Sequence, residues 1–116
     1  MYKILFYKDG KGNEELFSFL KDLSNRNDKR SKKLFKSFTS SINALSLFGL
    51  NLGMPKCRRI NSDIWELRIK RYRVFFFKNK EEIVLLHFYY KKTKKTPERE
   101  IDKAIKEMKE VIENES

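Results

Sequence analysis

The sequence predicts an α+β fold: an antiparallel β-sheet with an N-terminal helical hairpin inserted after the first strand and a helix at the C-terminal end. Three observations predict it. Apolar residues recur at helical spacing between residues 16 and 45. From Lys56 onward the period switches to two. After Tyr90 a basic tail leads through Thr96-Pro97-Glu98 into a second stretch of helical spacing. A chain of 116 residues is expected to be one domain, 1–116, large enough for a single real core.

The elements follow in order. Tyr2, Ile4 and Phe6 alternate with Lys3, Leu5 and Tyr7, which predicts an opening strand. Asp9-Gly10-Lys11-Gly12-Asn13 is a turn, with Asn13 expected as the cap of a first helix and Glu14 and Glu15 at its positive end. Leu16, Phe17, Leu20 and Leu23 form that helix's apolar side. A second helix is expected from Asp28 to Leu47, with Leu34, Phe35, Phe38, Ile42 and Leu45 on one face and Gly49 as its stop. Strands are expected near 57–60, 63–69, 72–78 and 82–90. Ile83-Val84-Leu85-Leu86 lacks alternation, so the last of these should be central and covered on both sides. Thr96 is expected to cap the final helix with Pro97 at its first position. Ile101, Ala104, Ile105, Met108, Val111 and Ile112 give that helix a narrow apolar stripe, suited to packing on the sheet or to a partner's groove.

The net charge is +11 and unevenly spread. Residues 1–50 carry ten Lys/Arg against five Asp/Glu, residues 51–100 fourteen against six, and residues 101–116 three against five. A basic surface of this kind favours a polyanion, nucleic acid first. The single cysteine, Cys57, can make no intramolecular disulfide, and a reducing cytoplasm fits best. No apolar stretch is long enough to span a bilayer and the N-terminus lacks a signal-peptide pattern, so no membrane role is expected. One His and one Cys argue against a His/Cys metal site, and no cofactor is expected.

The chemistry concentrates in one hairpin. If the chain turns at Lys70-Arg71, Ile69 faces Tyr72, Leu67 faces Val74 and Trp65 faces Phe76 on one apolar face. The same register sets Arg68 opposite Arg73 on the other face, where like charges destabilise a hairpin unless an anion such as a phosphate sits between them. The bland alternative is two solvated arginines on an exposed sheet face. Glu66 shares that face, as a base or as a carboxylate neutralising Arg68. Lys91 and Lys92 stand where the chain leaves the adjacent strand, and Arg58, Arg59, Lys70, Arg71, Lys94 and Lys95 form a basic rim. Such a cluster suits RNA cleavage by the ribose 2′-oxygen: arginine forks stabilise charge developing on phosphorus, and a lysine crowded by cations has a lowered pKa and can move protons. His87, within an apolar strand, is expected to be a satisfied core residue. Tyr72, Tyr89 and Tyr90 are the aromatics best suited to stack on bases.

Three segments carry a family resemblance: Ile64-Trp65-Glu66-Leu67-Arg68, Tyr72-Arg73-Val74-Phe75-Phe76, and the stretch from Leu85 through Lys91-Lys92-Thr93-Lys94-Lys95-Thr96-Pro97 to Ile101. In order and content they resemble the RelE/ParE toxin superfamily, in particular its HigB-like, phage-associated branch. The resemblance covers nearly the whole chain. It implies a RelE-like fold and the toxin half of a type II toxin–antitoxin module. It further implies a metal-independent endoribonuclease (an mRNA interferase) that cuts mRNA on the translating ribosome. The implied partner is a cognate antitoxin, often one with a helix-turn-helix domain. Residue by residue the matches are Glu66, Arg68, Arg73, Lys91, Lys92 and Thr93, with the arginines clamping the scissile phosphate and the lysines neutralising it. Whether Tyr89 or Tyr90 inherits the catalytic tyrosine of some relatives stays open on sequence. Two other readings remain: a ParE-like gyrase poison without nuclease activity, and a plain nucleic-acid-binding module.

Overall fold

The structure is a computed structural model that describes residues 1–115. Its elements are β1 (Lys3–Phe6), α1 (Glu15–Ser24), α2 (Lys29–Phe48), a short 3₁₀ turn (Gly49–Leu52), β2 (Cys57–Arg59), β3 (Trp65–Ile69), β4 (Tyr72–Asn79), β5 (Glu82–Tyr90) and α3 (Glu98–Asn114). The five strands form one sheet in the order β1-β5-β4-β3-β2. Strands β2 to β5 are antiparallel neighbours, whereas β1 lies parallel to β5. The sheet is therefore mixed, not purely antiparallel as expected. The helical hairpin carries the chain away after β1, so β1 and β5 meet as parallel neighbours only when the last strand arrives.

The expected hairpin is present in its expected register. Trp65 pairs with Phe76, Leu67 with Val74, Ile69 with Tyr72, and Arg68 with Arg73. Lys70 adopts φ +55° to close the two-residue turn, a left-handed conformation such hairpin turns require. Period-two alternation then sorts the side chains. Leu67, Ile69, Val74, Phe76, Ile83 and Leu85 pack against Leu16, Leu20, Leu23, Phe38 and Leu45 of the helical hairpin. Phe75, Phe77, Val84 and Leu86 point to the other face and meet Ala104 and Met108 of α3. Each fully buried Leu, Ile, Val or Phe contributes about 1.5–3 kcal/mol. β5 is interior and covered on both faces, as its continuous apolar run predicts. Cys57 is buried, which pushes its thiol up to about 11.

Helix ends differ from expectation in two places. Asn13 does not cap α1: its backbone N–H and side chain both donate to Asp9, and Glu14 occupies the cap position with no side-chain bond. Pro97, not Thr96, stands at the cap of α3. Asp28, the expected start of the second helix, is the cap of α2 and accepts from the Ser31 N–H. Gly49 ends α2 at φ +57°, and its α-carbon lies so close to the Tyr2 ring that a Cβ there would overlap it. The stripe of α3 packs on the sheet except at Ile112, which stays exposed, and polar anchors fix the helix there. His87 Nδ1 lies 2.8 Å from Glu107 Oε1 and Nε2 lies 3.0 Å from Glu100 Oε1, while Tyr7 donates to Glu110. His87 is thus a satisfied core residue. α3 contacts β4 and β5 and covers only part of this sheet face. The rest of the face carries the polar side chains described next.

Candidate functional site

Glu66 is the centre of that polar region. Its carboxylate is buried, and four side chains from four separate segments converge on it. Arg58 Nη2 from β2 lies 3.4 Å from Glu66 Oε1. Tyr89 from β5 and Thr96 from the turn before α3 donate to Oε2 at 3.4 and 3.3 Å. Arg73 Nε from β4 lies 3.9 Å from Oε1. Arg58 also donates to Thr96 Oγ1 at 3.0 Å, which closes the network. A buried carboxylate is tolerated only when it is paired and hydrogen-bonded, and these four groups supply that pairing.

Arg73 departs most from the sequence reading. It is not on a solvated face but buried at 7% exposure. Its Nη1 donates to the carbonyls of Lys70 and Tyr72 at 2.8 and 2.9 Å, so it braces the hairpin turn from within. Its Nε has no hydrogen-bond partner. Burial, and then the Arg68 charge opposite, pull its pKa below the usual arginine value, while Glu66 opposes them. Arg68 itself is exposed, directly across from Arg73. Lys91 is half-buried beside the cluster. Burial lowers its pKa first, the charges of Arg73, Arg58 and Arg68 push the same way, and Glu66 opposes them.

The remaining predicted residues divide. Lys92, Lys94 and Lys95 are exposed on the turn leading to α3. Thr93 is spent within that turn, donating to the Lys95 carbonyl at 2.9 Å. Arg59 is tied to the carbonyls of Asn61 and Ser62, and Arg71 donates to the Lys91 carbonyl. Lys70 is exposed, and its carbonyl serves Arg73. Of the three tyrosines, Tyr72 is packed among Phe19, Phe38 and Phe88 on the helical-hairpin side and is not placed to stack on a base. Tyr90 sits under the Arg71 guanidinium. Tyr89 alone enters the cluster, its ring stacked on Phe75 and its hydroxyl on Glu66. Burial raises the Tyr89 pKa.

Sequence reasoning missed Thr96 by assigning it to helix capping, and it placed Arg58 only at the rim. The signal for Arg58 was available: β2 pairs with β3 so that Arg58 lies directly across from Glu66. Among the described residues, no group of three or more His, Cys, Asp or Glu could hold a metal ion. No helix is long and apolar enough to cross a membrane. With one carboxylate against Arg58, Arg68, Arg73 and Lys91, the cluster keeps an excess of positive charge, the condition for holding an anion.

The family profile described as "Phage derived protein Gp49-like (DUF891)" matches residues 21–109, a stretch that contains every residue of this cluster. The chain belongs to the Gp49-like family. No curated protein sequence matches this Gp49-like chain. Among solved structures it is similar to a chain of the YoeB-YefM complex from Staphylococcus aureus. The TM-score is 0.56 and the identity 18%, over 79% of this chain and 99% of that one. At that identity the likeness is one of fold.

Proposed function

We propose that this Gp49-like protein is the toxin of a type II toxin–antitoxin system. In this reading it is a HigB-like endoribonuclease that cleaves mRNA on the translating ribosome in the cytoplasm, without a metal. The observation that carries the reading is the convergence of Arg58, Arg73, Tyr89 and Thr96 on buried Glu66, with Arg68 and Lys91 left beside them to face an anion. The fold shared with a chain of a two-protein complex supports a cognate antitoxin, which we take to be of helix-turn-helix type. That antitoxin silences the basic face by presenting acidic or amphipathic surface to it.

The roles follow from the geometry. Arg68 offers a planar fork to the scissile phosphate, and Lys92 adds charge from the turn. Glu66 is enclosed by its partners, so it orients Arg58 and Tyr89 instead of reaching a ribose. Arg73 positions the hairpin. Lys91 takes the proton of the 2′-hydroxyl as its oxygen attacks phosphorus. The bond to the 5′-oxygen breaks, and Tyr89, which burial keeps protonated, supplies a proton to that leaving oxygen. The products are a 2′,3′-cyclic phosphate and a 5′-hydroxyl. Arg58, Arg59, Lys70, Arg71, Thr93, Lys94 and Lys95 make up the RNA-binding rim.

Inducible expression in bacteria with mapping of new mRNA 5′ ends tests this reading. Growth arrest with fresh ends in translated regions, both lost in an Arg68→Ala/Lys92→Ala double variant, is expected. Arrest with intact mRNA assigns the toxicity to another target such as gyrase, and no arrest leaves a binding module. The proton role of Lys91 has its own signature. A lowered pKa makes the neutral amine more abundant at any pH below it, so single-turnover cleavage on programmed ribosomes should rise with pH. The limb should be centred below the ordinary lysine value of 10.5. Lys91→Ala should be slow and flat across that range; the same limb in the variant assigns the base elsewhere.

A further inference from the structure

β2, the residue after it, the turn before α3 and the first turn of α3 line an open cleft of about 410 Å³ that the cleavage step does not use. Arg59, Lys94 and Lys95 line it, and all three are exposed. Ile60 and Ile101, both half-buried, give it apolar surface. Arg58 and Thr96 belong to the cleft and to the Glu66 network alike, so whatever fills the cleft lies next to the cleavage centre. Glu98 is the one carboxylate among the lining residues. Four cations share that lining, yet among the described residues Glu98 makes no ion pair within 4.0 Å.

We propose that this cleft receives one base of the RNA strand beside the cleaved bond and that Glu98 selects guanine there. The inference rests on the ribonuclease reading and deepens it. An unpaired carboxylate weakens a site meant only for phosphate, because it repels the ligand. It strengthens a site meant for a base with N–H donors. Single-stranded RNA is read through such contacts to the Watson–Crick edges of unstacked bases. Guanine presents N1–H and N2–H side by side, matching the two oxygens of a carboxylate in a charge-assisted bidentate pair. Adenine and cytosine set one amino group beside a bare ring nitrogen, whose lone pair faces the carboxylate. Uracil sets one N–H between two carbonyls. The isoleucines cover the faces of the base, and Lys94 and Lys95 take the flanking phosphates.

Amide NMR titration of the purified protein tests this without requiring cleavage. The probes are 5′-GMP, 5′-AMP, 5′-CMP, 5′-UMP and inorganic phosphate. The expected result is that 5′-GMP shifts the amides of Ile60, Glu98 and Ile101 and binds about tenfold more tightly than the other nucleotides, the discrimination one bidentate pair gives. Glu98→Gln, an exposed and isosteric change, should erase that preference. The proposal is overturned if inorganic phosphate reproduces the 5′-GMP shifts, if the four nucleotides bind alike, or if Glu98→Gln keeps the preference. A guanine preference in a protein that makes no mRNA ends retains the cleft and removes the nuclease. Fresh mRNA ends without a guanine preference do the reverse.

Discussion

Arg68→Ala is expected to abolish toxicity and to lower cleavage at least 10²–10³-fold, the usual loss on removing a group that stabilises developing charge. The same variant should be as stable as the wild type or more so. Arg68 is exposed and makes no ion pair among the described residues, and it stands directly opposite the buried Arg73. Like charges at facing positions of a hairpin cost a few tenths to about 1 kcal/mol, and alanine removes that cost. Activity and stability should therefore move in opposite directions, the signature of a strained functional site. Arg68→Lys should also lose most activity while keeping the repulsion, because a point charge does not replace a planar fork. Thermal melts of both variants beside a growth assay decide it. A melting temperature that falls with Arg68→Ala makes this residue structural, and full activity of Arg68→Lys removes the bidentate clamp.

What the sequence made legible was whatever follows from period and local chemistry. The hairpin register could be read because sliding it by one residue would carry Leu67 and Val74 off the apolar face. The end of α2 could be read at Gly49. His87 could be read as core because it lies within an apolar strand. What could not be read depends on where distant segments meet. Nothing local says that β1 will lie parallel to β5, since that pairing spans nearly eighty residues. Thr96 looks like a helix cap because Thr-Pro-Glu is a common helix start. Its hydroxyl turns instead to Glu66, a partner thirty residues away. The burial of Arg73 was hidden for a related reason. An arginine on a basic hairpin reads as solvated until Glu66, Tyr89 and the turn carbonyls are seen to close over it.

That burial yields the second large effect, and it reverses the behaviour expected of an exposed arginine. Arg73→Ala should cost stability as well as activity. It withdraws the donor from the Lys70 and Tyr72 carbonyls and leaves Glu66 with one fewer cation in a buried setting. Removing one partner of a buried charge pair costs about 3–5 kcal/mol, which lowers the melting temperature by on the order of 10 °C in a chain of this size. Its Nε lies at ion-pair distance from Glu66 without a hydrogen bond, so the lower end of that range applies. Arg73→Lys keeps a charge near Glu66 but cannot serve both carbonyls, and it should fall between alanine and wild type. A double-mutant cycle with Glu66→Gln isolates the coupling: the two losses should be strongly non-additive, because each variant leaves the same network incomplete. Additive losses would mean that Arg73 acts through the turn alone. An Arg73→Ala protein that melts with the wild type and is merely inactive would return Arg73 to the exposed phosphate clamp that the sequence suggested, with Arg68 as its equal rather than its successor.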